Sequence, residues 1–266
     1  MKPVLEVTGL RVERGNTTIL RHVDWRVARG EHWVILGANG SGKTTTLHSA
    51  LHALDHRGRA IHTLEDPVEY EFAGIRQTEI REKIGLTFAG ALRALLRQNP
   101  DILLVGETRD AETAQLAVRA ALTGHLVLST LHTNDSAGAV TRLVDMGVEP
   151  FLIASSLEAV LAQRLVRRVC VQCRTPYTPP PDLLKPLAIS ADSVGDRQFF
   201  YGKGCPTCSQ SGYRGRLGIY EWLRMSEALR DLIGQRASTL VIRQKAIEQG
   251  MRIGRASCRE RVCQYV

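Results

Sequence analysis

Gly37-Ala-Asn-Gly-Ser-Gly-Lys-Thr44, preceded by the apolar run Trp33-Val-Ile-Leu36, is the stretch on which the fold turns. A glycine, four residues, then Gly42, Lys43 and Thr44 is the spacing of a phosphate-binding P-loop, in which a strand turns sharply into a helix and backbone N–H groups converge on phosphate oxygens. Gly37, Ala38, Asn39, Gly40, Ser41, Gly42, Lys43, Thr44 and Thr45 are therefore the candidate nucleotide-binding residues. Lys43 is expected against the β and γ phosphates, and the Thr44 hydroxyl on Mg²⁺. The following residues carry the helical spacing that the motif requires, with apolar positions at Leu47, Ala50, Leu51, Ala53 and Leu54. A P-loop in this context implies an α/β fold and leaves the kind of NTPase to the flanking sequence.

Working outward from that loop, strands and helices alternate. Leu5 to Leu10, Ile19 to Val27 and Trp33 to Leu36 read as strands before it. After it, Ala60 to Leu64 is a short strand ending in Glu65-Asp66-Pro67. Ile102 to Val105 is a second, ending in Gly106-Glu107, and Leu126 to Leu131 is a third, flanked by His125 and His132. Helical patterns at about 88–98 and 111–122 lie between them. Such alternation implies a mostly parallel sheet whose ligand crevice lies at the carboxyl ends of the strands, where the acidic residues and histidines collect. Glu107 follows an apolar strand, where a carboxylate holds Mg²⁺ through water or orients the attacking water. Arg76, Arg93, Arg97 and Arg109 are candidate phosphate contacts, because a planar guanidinium matches transition-state charge.

The bulk properties fit one α/β domain with a smaller appended unit: 266 residues, 44% of them hydrophobic. No run of about 18 apolar residues is present to span a bilayer, and residues 1–15 lack the apolar centre of a secretory signal, so the chain is expected in the cytoplasm. The formal charge is +8, but the 35 basic residues are spread along the chain, which reads as a solvated surface and gives no reason to expect a nucleic-acid partner. Cys170, Cys173, Cys205 and Cys208 form two C-x-x-C pairs, the pattern of a four-thiolate zinc site in a reducing compartment. Between the pairs, Pro176, Pro179, Pro180, Pro181 and Pro186 mark an extended excursion. Leu161 to Cys170 is expected to be helical, Gly212 to Leu223 a hairpin, and two helices are expected at about 225–235 and 238–249.

Two resemblances overlay this reading. Residues 5–46, LEVTGLRVERGNTTILRHVDWRVARGEHWVILGANGSGKTTT, resemble the beginning of an ABC-transporter nucleotide-binding domain, although no Leu-Ser-Gly-Gly-Gln signature follows. From about residue 42 to 252, AIHTLEDPVEYEF and GLTFAGALRALLRQNPDILLVGETRDAETAQLAVRAALTGHLVLSTLHT resemble the assembly ATPases of type II secretion and type IV pili. That resemblance implies a RecA-like fold, ATP and Mg²⁺ as ligands, a structural Zn²⁺ on the four cysteines, a homo-hexamer, and an inner-membrane platform protein as partner, with the enzyme peripheral to that membrane. It implies Glu65, with Asp66 and Glu69, as the family's acidic box, and His132, with His125 beside it, as its histidine box and γ-phosphate sensor. Glu65 rivals Glu107 for water activation. Ile253 to Val262 reads as a translated sequencing adapter. The expected organisation is an ABC-like β-rich segment at 1–36 joined at the shared motif, a P-loop core at 37–165, a zinc-bearing helical portion at 166–252, and a tail at 253–266 outside the fold. An ABC-transporter ATP-binding subunit and a zinc-bearing nucleic-acid-binding module are the alternatives.

Overall fold

The computed structural model describes residues 5–14, 17–27, 32–36, 41–54, 58–184 and 198–251. Strands β1 (Leu5–Arg14) and β2 (Thr17–Val27) pair antiparallel as a separate ribbon. β3 (His32–Leu36) leads to the P-loop and α1 (Lys43–Ala53) follows it. Then come β4 (Ile61–Glu65), β5 (Arg76–Glu79), α2 (Phe88–Leu95), β6 (Ile102–Val105), α3 (Ala111–Leu122), β7 (Leu126–Leu131), α4 (Ser136–Asp145) and α5 (Pro150–Ser156). The chain continues through β8 (Leu157–Val169), β9 (Arg174–Tyr177), α6 (Pro181–Leu184), β10 (Phe199–Gly202), β11 (Tyr213–Arg224), α7 (Glu227–Gly234) and α8 (Thr239–Glu248).

The main sheet has seven strands in the order β11-β8-β3-β7-β6-β4-β5. All neighbours pair parallel except the edge pair β11 and β8. The mostly parallel sheet expected from the strand–helix alternation is thus present, and β4, β6 and β7 are buried along their whole length, as in a sheet covered on both faces. On β6, Ile102 and Leu104 pack with Leu47 and Leu51 of α1 and with Leu54 just after it, while Leu103 and Val105 pack with Phe88, Leu92 and Ala120 of α2 and α3. A third cluster joins α4, α5, α7 and α8 to Leu157, Val160 and Ala162 of β8. Helix starts follow the sequence signals: Thr87, Asp110, Asp135, Ser226 and Ser238 each accept a hydrogen bond from a first-turn backbone N–H.

Two local expectations are overturned. The segment Leu161–Cys170, expected to be helical, lies mainly in strand β8, because tertiary pairing overrides the helix preference of Leu, Gln and Arg: β8 runs parallel to β3 and antiparallel to β11, and Leu157 and Ala159 to Gln163 are buried. Residues 212–223 are no hairpin; Tyr213–Arg224 is one strand, and its antiparallel partner is β8, with a register shift between Tyr213 and Arg216. The proline-rich excursion is closed at its base by β9 pairing with β10, and residues 185–197 fall outside the described residues. So do Gly37 to Gly40 and the tail from residue 252.

Candidate functional site

At the P-loop, Gly42 caps α1 with φ of +86°, a left-handed conformation that an L side chain adopts only with strain. Thr46 N–H donates to its carbonyl at 3.0 Å, so α1 begins immediately after the turn. The helix N-terminus opens on a cleft of about 510 Å³ lined by Ser41 to Thr45, Glu65, Glu107, Arg109 and His132. Because β3, β4, β6 and β7 are parallel, the residues that end them share one edge of the sheet. Parallel pairing, not sequence proximity, brings Lys43, Glu65, Glu107 and His132 together.

Within the cleft a polar chain runs from the P-loop to the far wall. Lys43 Nζ lies 3.5 Å from Nδ1 of His132. His132 Nε2 lies 3.2 Å from Oε2 of Glu107, and Oε1 of Glu107 is 2.5 Å from Arg109 Nη2. An ammonium only donates and a carboxylate accepts, which assigns His132 the tautomer with Nδ1 accepting and Nε2–H donating. Burial pulls the Lys43 ammonium below its usual pKa, and the charge of Glu107 opposes that shift. Glu107 is placed by a close approach of strands: Gly106 N–H donates to the Leu64 carbonyl at 2.7 Å, and a Cβ on Gly106 would lie 2.8 Å from that same oxygen.

Glu65 is held differently. It is 3% exposed, accepts from Thr63 Oγ1 at 2.6 Å and Gln77 Nε2 at 2.9 Å on one oxygen, and meets His48 Nε2 at 3.0 Å on the other. Burial works to raise its pKa, but the hydrogen bonds from His48, Thr63 and Gln77 outweigh it and leave the carboxyl below its ordinary value. His48 escaped the sequence reading; its signal is the i, i+4 spacing from Thr44, which stacks both on one helix face. Thr46 and the fully buried Gln163 of β8 were also missed, and they share a 2.8 Å hydrogen bond.

Several expected residues are not brought to the cleft. His125 precedes β7 and His132 follows it, so they sit at opposite ends of a strand roughly 20 Å long. His125 bonds to the Ala120 carbonyl at 2.7 Å instead. Arg93 is engaged by Glu112 on α3, Arg97 lies on an exposed 3₁₀ turn, and Arg76 begins the edge strand β5. Among the four arginines proposed from sequence, Arg109 alone lines the cleft. Arg216 of β11, not singled out from sequence, lines it too.

The four knuckle cysteines gather as expected. Their sulfurs lie within 4.8 Å of one another, with separations of 3.8 Å for Cys170–Cys205, 3.8 Å for Cys173–Cys208 and 3.6 Å for Cys205–Cys208. A tetrahedron of thiolates about 2.3 Å from Zn²⁺ has edges of about 3.8 Å, so these residues fit that ion. The backbone N–H groups of Cys205 and Gly212 point at Cys208 Sγ, at 3.2 and 3.3 Å, as donors that stabilise a thiolate.

A strand, P-loop and helix set into a parallel sheet, with carboxylates and a histidine on the neighbouring strand ends, define an α/β P-loop NTPase fold. The chain belongs to the family described as type II/IV secretion system protein, whose model matches residues 13–266. It is 48% identical over 244 residues to the type II secretion system protein E of Aeromonas hydrophila, covering 90% of this chain and 48% of that protein. It is 49% identical over 219 residues to the type IV pilus assembly ATPase PilB of Myxococcus xanthus, covering 82% of this chain and 39% of that one. The chain thus spans about half the length, or less, of these curated relatives. Among solved structures, the pilus retraction motor PilT with bound ADP is similar with a TM-score of 0.56 and 28% identity, over 88% of this chain and 62% of that one. The ATPase DotB of Legionella pneumophila gives a TM-score of 0.59 at 25% identity, over 84% of this chain and 54% of that one.

Proposed function

We propose that the chain carries the ATP-hydrolysing core of a type II secretion or type IV pilus assembly motor. The observation that carries this reading is the polar chain Lys43–His132–Glu107–Arg109 at the strand ends beside the P-loop, in a chain whose family relatives include a pilus assembly ATPase. Phosphoryl transfer requires charge neutralisation and an oriented water more than covalent chemistry. Lys43 supplies a desolvated positive charge for the β and γ phosphates. His132 passes orientation between Lys43 and Glu107, and is placed to sense the γ phosphate. Thr44 is the protein ligand for Mg²⁺, which when bound neutralises phosphate charge.

Glu107 is the stronger candidate to orient water. A carboxylate has about four lone-pair sites; Glu65 commits three of them to Thr63, Gln77 and His48, while Glu107 commits two, both to groups that phosphate would draw away. Glu65, with Asp66 and Glu69 on the same cleft wall, is assigned a supporting role as a fixed negative charge. Zn²⁺ on Cys170, Cys173, Cys205 and Cys208 would be structural, since all four positions are filled by thiolates. A homo-hexameric ring, an inner-membrane platform protein as partner and a cytoplasmic location at that membrane complete the proposal. Among the described residues no helix is long and apolar enough to cross a membrane.

Titration with ATP and ADP tests the site: wild type binds both, and Lys43→Ala loses binding of both. Undiminished binding by Lys43→Ala would overturn the assignment of the P-loop.

A further inference from the structure

We infer that His48 is a positioning residue for hydrolysis: through its Nε2–H it fixes the Glu65 carboxylate against α1, the helix that carries Lys43 and Thr44. This role rests on the nucleotide reading just proposed and deepens it. Three groups hold Glu65, and they come from two sides. Thr63 Oγ1 and Gln77 Nε2 donate to Oε1 from β4 and β5, so they tie the carboxylate to the sheet. His48 Nε2 meets Oε2 from α1, at 3.0 Å. An ionised carboxylate only accepts, so the ring donates through Nε2–H. His48 stands one turn beyond Thr44. Of the three contacts, it is the one that reaches Glu65 from the helix whose N-terminus opens on the cleft. Without it the sheet would still hold the charge, but not at a set distance from the P-loop.

The histidine is itself locked. It is 5% exposed, and Tyr70 and Phe72 stand edge-on to the imidazole with ring centroids 5.6 and 5.3 Å away. Both aromatic rings belong to the loop between β4 and β5, and the Gln77 carboxamide secures that loop. Its Nε2 donates to the Tyr70 carbonyl at 2.8 Å, and its Oε1 accepts from the Phe72 N–H at 2.8 Å. The same Nε2 donates to Glu65 at 2.9 Å. Carboxylate, imidazole, aromatic loop and carboxamide thus form a closed circuit in which each member limits the movement of the next. His48 and Glu65 both line the nucleotide cleft, so the circuit ends in a negative charge fixed at the cleft wall. A group held in place before the reaction needs no reorganisation as charge shifts during phosphoryl transfer. Loosening it therefore lowers turnover more than it weakens ATP binding.

The experiment measures steady-state ATP hydrolysis, ATP binding and melting temperature on wild type, His48→Phe and His48→Gln. His48→Phe keeps a ring between Tyr70 and Phe72 and removes the donor, whereas His48→Gln keeps an N–H donor near the Nε2 position and removes the ring. The expected result is a roughly tenfold lower kcat in His48→Phe, with a Kd for ATP within about twofold of wild type, and a kcat in His48→Gln above that of His48→Phe. In a Glu65→Gln background, His48→Phe should lower kcat no further, because the two residues act as one unit. Wild-type kcat in His48→Phe overturns the inference, and so does a His48→Gln variant no better than His48→Phe, which would make ring packing the cause. A rise in Kd as large as the fall in kcat overturns it, as does a further tenfold loss in the Glu65→Gln background. Should His48→Phe misfold, His48→Leu takes its place with the same outcomes. Wild type that fails to hydrolyse ATP would instead refute the proposed hydrolysis itself.

Discussion

Adding one methyl group at Gly106 should damage both stability and turnover, by amounts that the packing sets. A Cβ there would lie 2.8 Å from the Leu64 carbonyl oxygen and 3.4 Å from the Glu65 Cα. Both neighbours are backbone, and β4 is clamped between β5 and β6 with Leu64 fully buried. No flexible side chain is available to yield, so β6 and β4 must part. Parting them weakens the 2.7 Å bond from Gly106 N–H to the Leu64 carbonyl, worth about 1 kcal/mol, and overpacking costs about 2 kcal/mol more. The total of about 3 kcal/mol corresponds to a melting temperature lower by about 6–12 °C in Gly106→Ala. Glu107 is the next residue, and a displacement of a few tenths of an ångström at a water-orienting carboxylate lowers kcat by about tenfold while KM changes little. Differential scanning calorimetry and steady-state ATP hydrolysis read the two effects. A variant melting within about 2 °C of wild type with unchanged kcat would refute the claim that this strand contact positions Glu107.

Other outcomes follow from the same geometry. Because the folded-state pKa of Glu65 is lowered, its contribution to stability is fully present above the unfolded carboxyl pKa, near 4.5, and is lost as pH falls through the folded value. Wild type should therefore lose stability more steeply than Glu65→Gln below about pH 4.5, measured by urea unfolding across pH; parallel curves would contradict the hydrogen-bonded carboxylate described here. Metal analysis should find one Zn²⁺ per chain, lost together with thermal stability in Cys170→Ser, and a chain purified without metal and with unaltered stability in that variant would remove zinc from the account.

Much of this was legible in the sequence, and the exceptions have physical causes. The strands at Ile102–Val105 and Leu126–Leu131 were readable because a doubly covered sheet demands unbroken apolar runs, bounded here by turn residues. β8 was not readable: Leu161-Ala-Gln-Arg-Leu-Val-Arg-Arg carries strong helix formers, and only its position between β3 and β11 makes it a strand. Gly212 to Leu223 read as a hairpin, whereas Tyr213–Arg224 is one strand that shifts register against β8 between Tyr213 and Arg216. His132 and Glu107 were found because strand ends announce themselves. His125 was paired with His132 because the two flank one strand, but a strand separates its ends, and only the direction of β7 tells which end faces the P-loop. Gln163 and Arg216 reach the site from β8 and β11, whose pairing is long-range and is not encoded by residue patterns alone, whereas His48 stands one turn past Thr44 on α1, where the i, i+4 spacing was the signal.

The most direct test of the central claim is ATP hydrolysis and ATP binding measured side by side on wild type and Glu107→Gln. The account predicts that the variant binds ATP as wild type does and loses turnover by about 10²-fold or more, the range expected when a group that acts in the transition state is removed. Wild-type turnover in Glu107→Gln would contradict it, and if Glu65→Gln alone abolished turnover, the water-orienting role would belong to Glu65.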